Sequence, residues 1–461
     1  MNRLFTTLAT LTCAITAFAQ LTFDGQFVPR TELRDGYKTP ILTGKDPAIF
    51  TEDRARLTAG YKMEKLGFKF SLQDVRIWGE TGQINKSDQL LSVHEAYGDI
   101  YASDKSTFRI GRQEVAYDGD RFFGSLDWGA QGRALDAVRY LYKDTNGNQF
   151  DLMGSWNQNG DGDGLPEPLK LTGNNYVNTT LGNSNNTNTR IFNLGLPKAQ
   201  LMAYYKKTFK SGDIAIMLLN DISNTNTISN ATTIKNDSTL TYSDFTVGIT
   251  PNFQFGKLKV GGQFYYTGGA DGKSYTGGAY KDIALGGFMV NAFIQHTGII
   301  GKPLLGVDYL SGDDEKTAKV EGWNPKYGTN HKFYGYMDYF YVGNGHGGVN
   351  EKSAGLLDVY LKTNFKLAET TSLMADLHYF ASATDRTNKT TKVVYGGTLG
   401  EELDLVFVHT LAKNIVFKAG YSQMFGITST MKQLKFGNPD QKISGMQNWA
   451  FAMVAFTPKF L

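Results

Sequence analysis

FRIGRQEVAYDGDRFFGSLDWGAQGRALDAVRY, residues Phe108 to Tyr140, decides how this chain folds. It carries five arginines, Arg109, Arg112, Arg121, Arg133 and Arg139, interleaved with Glu114, Asp118, Asp120, Asp127 and Asp136. Apolar residues flank it as Phe108, Ile110, Leu135, Val138 and Leu141. Alternation of apolar and polar residues puts successive side chains on opposite faces of a strand. The stretch reads as strand, outer loop, strand, with one charged face turned to water. The rest of the chain reads as the wall that holds this piece.

The same period recurs outward from it. Leu357, Val359, Leu361, Phe365 and Leu367 alternate with Asp358, Tyr360, Lys362, Asn364 and Lys366. Leu258, Val260, Phe264 and Tyr266 alternate with Lys257, Lys259, Gln263 and Tyr265. A soluble sandwich gives such alternation too, so the connections decide. Short joins fall near Met63–Lys65, Asp104–Ser106, Thr145–Asn148, Lys210–Gly212, Pro251–Gly256, Gly298–Pro303, Leu367–Thr371 and Ala412–Asn414. Between them lie long polar stretches, among them Asp118–Gly132, Asn157–Pro197 and Ser311–Asn350. Short turns alternating with long loops are the rhythm of an outer-membrane barrel. The expected architecture is all-β: a transmembrane antiparallel β-barrel of about 18 strands around a water-filled lumen.

Composition agrees. The chain has 52 glycines, 30 phenylalanines and 25 tyrosines but 11 prolines. Its mean hydropathy of -0.32 would suit a soluble protein, yet barrel strands hide their apolar residues by alternation. Residues 1–19 read as a signal peptide: Arg3, an apolar run from Leu4 to Phe18, and an A-x-A site at Ala17–Ala19. The expected division is 1–19 as signal and 20–461 as one barrel. The location is then the outer membrane, amid its lipid and lipopolysaccharide. Cys13 is the single cysteine and falls in the leader, which leaves the mature chain without disulfide or thiol chemistry. A net charge of +3 gives no reason to expect nucleic acid. The aromatic ending WAFAMVAFTPKFL, with Phe460 next to last, resembles the signal read by the barrel-assembly machinery.

Arginine use is uneven. Arg30, Arg34, Arg54, Arg56, Arg76, Arg109, Arg112, Arg121, Arg133 and Arg139 precede residue 140, and Arg190 and Arg386 alone follow. Arginine's planar fork grips carboxylates in pairs and keeps its charge. An arginine wall on the first six strands suits anions. It suits equally a lumen in which arginines only neutralise acids such as Glu32, Glu52, Asp74, Glu95 and Asp99. Parity points Arg30, Arg34, Arg54 and Arg56 inward. A phase slip near Gln73–Asp74 suggests a bulge that would turn Asp74, Arg76 and Trp78 inward too.

EDRARLTAGYK (Glu52–Lys62), LQDVRIWGE (Leu72–Glu80), VHEAYGDI (Val93–Ile100), IGRQEVAYDGDRFFGSLDW (Ile110–Trp128), GRALDAVR (Gly132–Arg139) and YGTNHKFYGYMDYFY (Tyr327–Tyr341) carry a resemblance. The chain resembles the alginate-export family of outer-membrane proteins in its Bacteroidetes-type form. That implies a barrel with a basic lumen that passes alginate, a polyuronate. It also implies inward arginines, for which Arg30, Arg54, Arg56, Arg76, Arg112 and Arg133 are placed. The expected role is a channel for passive passage of anionic solutes, acidic saccharides such as alginate or uronate oligomers. Glu114 and Asp136 are added to the ten arginines as lumen residues. Alternatives are a general porin of low selectivity and a plugged structural or adhesive barrel.

Two loops, Asp118–Gly132 and Asn157–Pro197, are expected to narrow the pore. Tyr327–Tyr341 offers a second site, since His331, Lys332, Tyr334, Tyr336 and Asp338 sit in one long external loop. Tyrosines there would stack on sugar faces or form an interfacial girdle. Asn159–Gly164 reads NGDGDG, but no register supplies the twelfth-position Glu of a calcium loop. The six histidines show no metal spacing. Asp376 and His378 share an inward face without a serine nucleophile near them. No enzyme, cofactor or metal is expected.

Overall fold

The computed structural model describes residues 20–82, 90–157, 197–228, 234–276, 279–341, 353–388 and 390–461. The leader, the NGDGDG run, nearly all of Asn157–Pro197 and Arg190 lie outside the described residues. The first nine strands are β1 Gln20–Asp35, β2 Ala48–Lys62, β3 Leu66–Ile77, β4 Leu91–Ser103, β5 Ser106–Gln113, β6 Leu135–Lys143, β7 Gln149–Trp156, β8 Ala199–Phe209 and β9 Gly212–Ile228. The second nine are β10 Ile234–Phe255, β11 Leu258–Thr276, β12 Ala279–His296, β13 Leu304–Leu310, β14 Leu356–Ala368, β15 Thr371–Ala381, β16 Thr398–Ala412, β17 Ile415–Phe425 and β18 Asn448–Phe456. Each pairs antiparallel with its neighbour in sequence, and β18 pairs back onto β1 through Phe27↔Phe456 to Asp35↔Asn448. Closure leaves no edge strand; where short β13 stops, β12 pairs instead with the inner loop, Gly286 N donating to the Val320 carbonyl.

Burial is inverted relative to a soluble protein, and this identifies the wall as one that faces lipid. On β14, Val359, Leu361 and Leu367 are 39%, 39% and 57% exposed, while Asp358, next to Val359 on the opposite face, is 0%. The same holds for Leu201 and Leu218 against Gln200 and Asp221. Lipid covers the outer residues and the lumen holds the polar ones. No described helix is long and apolar enough to cross a membrane.

The expected turn rhythm is present: β2–β3, β4–β5, β6–β7, β8–β9, β10–β11, β12–β13, β14–β15 and β16–β17 join at one end by short turns. Long loops gather at the other. β5 and β6 have 8 and 9 residues, so the wall is low there, and the loop between them folds inward.

The lumen differs from an open water-filled bore. Phe122, Phe123, Trp323, Tyr334, Met337, Tyr339 and Phe340 are at most 2% exposed. They pack with inward-facing Met153, Met202, Met217 and Met289 into one apolar core inside the barrel. Two segments, 114–134 and 311–341, therefore bury aromatic residues against the wall instead of exposing them. A short helix, α1 Ser429–Phe436, closes the loop end beside them. Thr428 caps it by accepting from Met431 N, and Gly437 ends it in the left-handed region.

The bulge lies elsewhere than the phase slip indicated. β2 and β3 pair without interruption from Glu52↔Ile77 to Lys62↔Gly67. The irregularity is between β3 and β4, where Ser71 opposes Glu95 and Leu72 opposes Val93. The extra residue is His94, so His94 and Glu95 are both buried in the interior.

Candidate functional site

The inward arginines spend their donors on the barrel itself. Arg30 donates to Glu32 at 2.8 Å and to the Trp128 carbonyl at 2.6 Å, pairs with Glu52, and stacks 4.0 Å from the Trp128 ring centre. Arg54 donates to Asp127 Oδ1 at 2.9 Å and to the Ala130 carbonyl at 3.4 Å. Arg133 donates to the carbonyls of Gly124, Tyr327 and Gly328. Arg121 forms a two-pronged pair with Asp308 at 2.9 and 3.1 Å, 4% and 0% exposed at the side chains. These four hold loop 114–134 inside the barrel. Arg109 grips Asp99 with two bonds of 2.8 Å, and Arg139 donates to the Tyr117 hydroxyl at 2.6 Å. Arg56 donates to Gln73 at 2.7 Å, and Arg34 to Glu32 at 2.8 Å. Buried guanidinium groups need such partners, and once partnered they offer little to a passing anion.

Three expected lumen residues face outward. β5 pairs with β6 through Arg112↔Asp136 and Ile110↔Val138. Gln113, on the opposite face, is wholly buried, while Ile110 and Val138 are 49% and 50% exposed. Arg112 and Asp136 share that outer face and bond at 2.9 Å. Arg76 is opposite Asp53 and out of phase with inward Arg54; it grips Asp74, and Trp78 donates to Asp53 at 2.6 Å. The signal was local: Phe108, Ile110 and Arg112 have one parity.

The segment Tyr327–Tyr341 lies inside the barrel, neither outside it nor at a girdle. His331 stacks on Trp128 at 4.5 Å between ring centres, with Nδ1 2.7 Å from Asp338 Oδ1. Lys332 pairs with Asp120. Tyr334 and Asp338 are 1% exposed, and Tyr336 is 4.9 Å from His331. Wall carboxylates receive the segment's backbone: Met337 N donates to Glu402 Oε1 at 2.7 Å and Tyr336 N to Asp404 Oδ2 at 3.3 Å. Gly335, at φ 76°, is required, because a Cβ there would sit 2.6 Å from the Glu402 carboxylate. Just before it, Lys326 binds Asp221 and Asp244. Burial works against its charge, and the two carboxylates outweigh that, raising its pKa above the usual lysine range.

Beneath these loops, at the turn end, lie two cavities. One of about 610 Å³ runs between Arg30, Arg54, Trp128, His331 and Tyr336 and an apolar wall of Val406, Val408, Met374 and Met453. The other, about 850 Å³, is lined by Lys206, Lys210, Lys259, Lys332 and Lys362, with Asp118, Asp213, Gln263 and Tyr360. Lys332 borders both. Lys332 pairs with Asp120 and Lys362 with Asp376 at 3.5 Å. Among the described residues, Lys206, Lys210 and Lys259 form no such pairs. Lys206 and Lys210 are near neighbours at the end of β8, but Lys259 on β11 and Lys362 on β14 are distant in sequence and join them only through barrel closure.

His94, Glu95 and Glu114 place ligand atoms within 4.8 Å of one another. Lys69 pairs with Glu95, and the Arg56 guanidinium is 3.8 Å from Glu114, so the carboxylates are balanced by the protein. Asp376 and His378 are both buried, with His378 Nδ1 2.9 Å from Asp358 and Nε2 3.9 Å from Asp404, which accepts from the Ser422 hydroxyl.

The sequence matches no protein-family model and no curated protein. Its fold is similar to solved outer-membrane barrels. OccK8 (OprE) of Pseudomonas aeruginosa matches with a TM-score of 0.55 at 10% identity, over 96% of this chain and 99% of that one. OccAB4 of Acinetobacter baumannii matches at 0.54 and 10%, over 96% and 99%. OpdQ of Pseudomonas aeruginosa matches at 0.54 and 10%, over 96% and 98%. At this identity the likeness is one of fold. It is a likeness to outer-membrane barrels broadly and does not single out the alginate-export family.

Proposed function

We propose that this protein is an outer-membrane diffusion channel for small anionic solutes, with acidic saccharides such as short uronates the favoured class. The observation that carries this is the 850 Å³ cavity, in which Lys206, Lys210 and Lys259 form no salt bridge among the described residues. Its size is that of a small-ligand site, and ammonium groups in a narrow lumen concentrate anions. The arginines serve the loop that bounds this cavity. The aromatic roof above it favours short solutes over an extended polymer, and it also supports a second reading, a barrel held shut by its loops.

Single-channel recording in a planar bilayer under a salt gradient separates these readings. The expected result is an anion-selective reversal potential and block by added uronate oligomers. Changing Lys206, Lys210 and Lys259 together to Gln is expected to move the reversal potential toward zero with the barrel intact. A triple variant as anion-selective as the parent overturns the lysine assignment. Absence of conductance in the parent overturns the channel and leaves the shut barrel.

A further inference from the structure

The outward wall of β5 to β9 carries an arrangement that solute passage does not use. Cross-strand register places Phe108, Tyr140, Leu152, Ala203 and Leu218 in one row on the lipid-facing side. The next row toward the loop end holds Ile110, Val138, Gly154 and Leu201. Gly154 leaves a gap in it: a Cβ there would meet nothing nearer than Leu201 Cδ2 at 4.0 Å. The result is an apolar groove of about 580 Å³ between Phe108, Val138, Tyr140, Leu152, Leu201 and Leu218.

Cations stand above the groove. Arg112 lies one row further toward the loop end, and its Nη1 bonds Asp136 at 2.9 Å. That is the guanidinium's one hydrogen bond among the described residues, which leaves most of its donors for a ligand. Its side chain is 41% exposed, against 4% for Arg121 and 8% for Arg30 in the lumen. Trp156, 72% exposed on β7, is covered by Lys198, whose Nζ is 5.5 Å from the ring centre. Lys198 makes no ion pair among the described residues. Arg112 and Lys198 are separated by three strand spacings, about 14 Å. A wall of apolar residues topped by tryptophan and two separated cations is complementary to an acyl chain beneath two anionic groups.

We propose that this face binds a bisphosphorylated glycolipid of the outer leaflet, its acyl chain in the groove and its phosphates on Arg112 and Lys198. The loop end faces outward in an outer-membrane barrel, so the inference rests on that location but not on any solute. Two cations so far apart ask for two phosphates, which favours lipid A over a phospholipid bearing one.

Native mass spectrometry of the full chain, purified in detergent and stripped of lipid, tests this with bisphosphoryl lipid A, monophosphoryl lipid A and phosphatidylglycerol as probes. The expected order of binding is bisphosphoryl, then monophosphoryl, then phosphatidylglycerol. R112Q/K198Q is expected to weaken bisphosphoryl lipid A roughly tenfold or more. Gly154→Leu, which fills the gap without backbone strain, is expected to weaken lipid A binding whatever its phosphates. R76Q serves as the control, because Arg76 already grips Asp74 on the same outer face. Equal binding of all three lipids, or no response to either variant, overturns the proposal. So does a concentration-dependent oligomer that Gly154→Leu abolishes, which would make the face a contact between copies.

Discussion

Replacing Arg121 with Met tests whether the infolded loop sets the bore. Arg121 reaches from loop 114–134 across the lumen to Asp308 on β13, with bonds of 2.9 and 3.1 Å and its guanidinium 3.8 Å from the Phe333 ring centre. Met fills the volume and strands Asp308, which keeps the Asn291 amide at 2.6 Å. Removing one partner of a buried pair costs about 3–5 kcal/mol. At about 1.4 kcal/mol per tenfold, loop docking weakens by roughly two to three and a half orders of magnitude. The 18-stranded ladder is untouched, so the barrel stays folded while the loop leaves its seat. Single-channel recording then shows larger, flickering conductance, and limited proteolysis cuts within residues 114–134. The double variant R121M/D308L recovers most of the parent behaviour, since neither partner remains buried alone. Unchanged conductance and protease resistance in R121M would refute the reasoning. A double variant as disturbed as the single would refute it equally.

Two further outcomes follow from the same geometry. Burial raises the Asp118 pKa to about 6 from the ordinary 3.8, at the roof of the lysine-lined cavity. The folded chain binds the extra proton between those values, so Asp118 favours the fold at low pH and that contribution falls away as pH rises toward 6. Protonation also removes a negative charge beside Lys206, so anion selectivity is expected to rise on acidification through pH 6, and D118N is expected to flatten that dependence. Gly335→Ala meets both a left-handed backbone, about 1–2 kcal/mol, and the Glu402 carboxylate. It is expected to raise current noise, whereas Gly44→Ala, with a similar φ of 77° but open space around it, leaves the noise unchanged.

The barrel was legible because its signals are local. Period two along Leu357–Leu367 assigns each side chain to lipid or lumen, and the spacing of turns counts the strands. Even the outward course of Arg112 was written in its parity with Phe108 and Ile110. The phase slip near Gln73 was real, but the inserted residue belonged to β4. A strand's own sequence does not say which partner carries the bulge.

What Phe108–Tyr140 could not disclose was where its charges end. By itself the sequence determined a closed wall, two kinds of connection and a surplus of early arginines. An inward loop after β5 was expected from the sequence; only the tertiary structure decided where it docks, with Arg121 on Asp308, 187 residues away. It likewise placed Lys206 and Lys259 on one cavity with Lys362. The physical reason is closure. Each strand fixes a side chain's face from its neighbours in sequence, but what a lumenal charge meets is set by strands brought opposite when the sheet shuts.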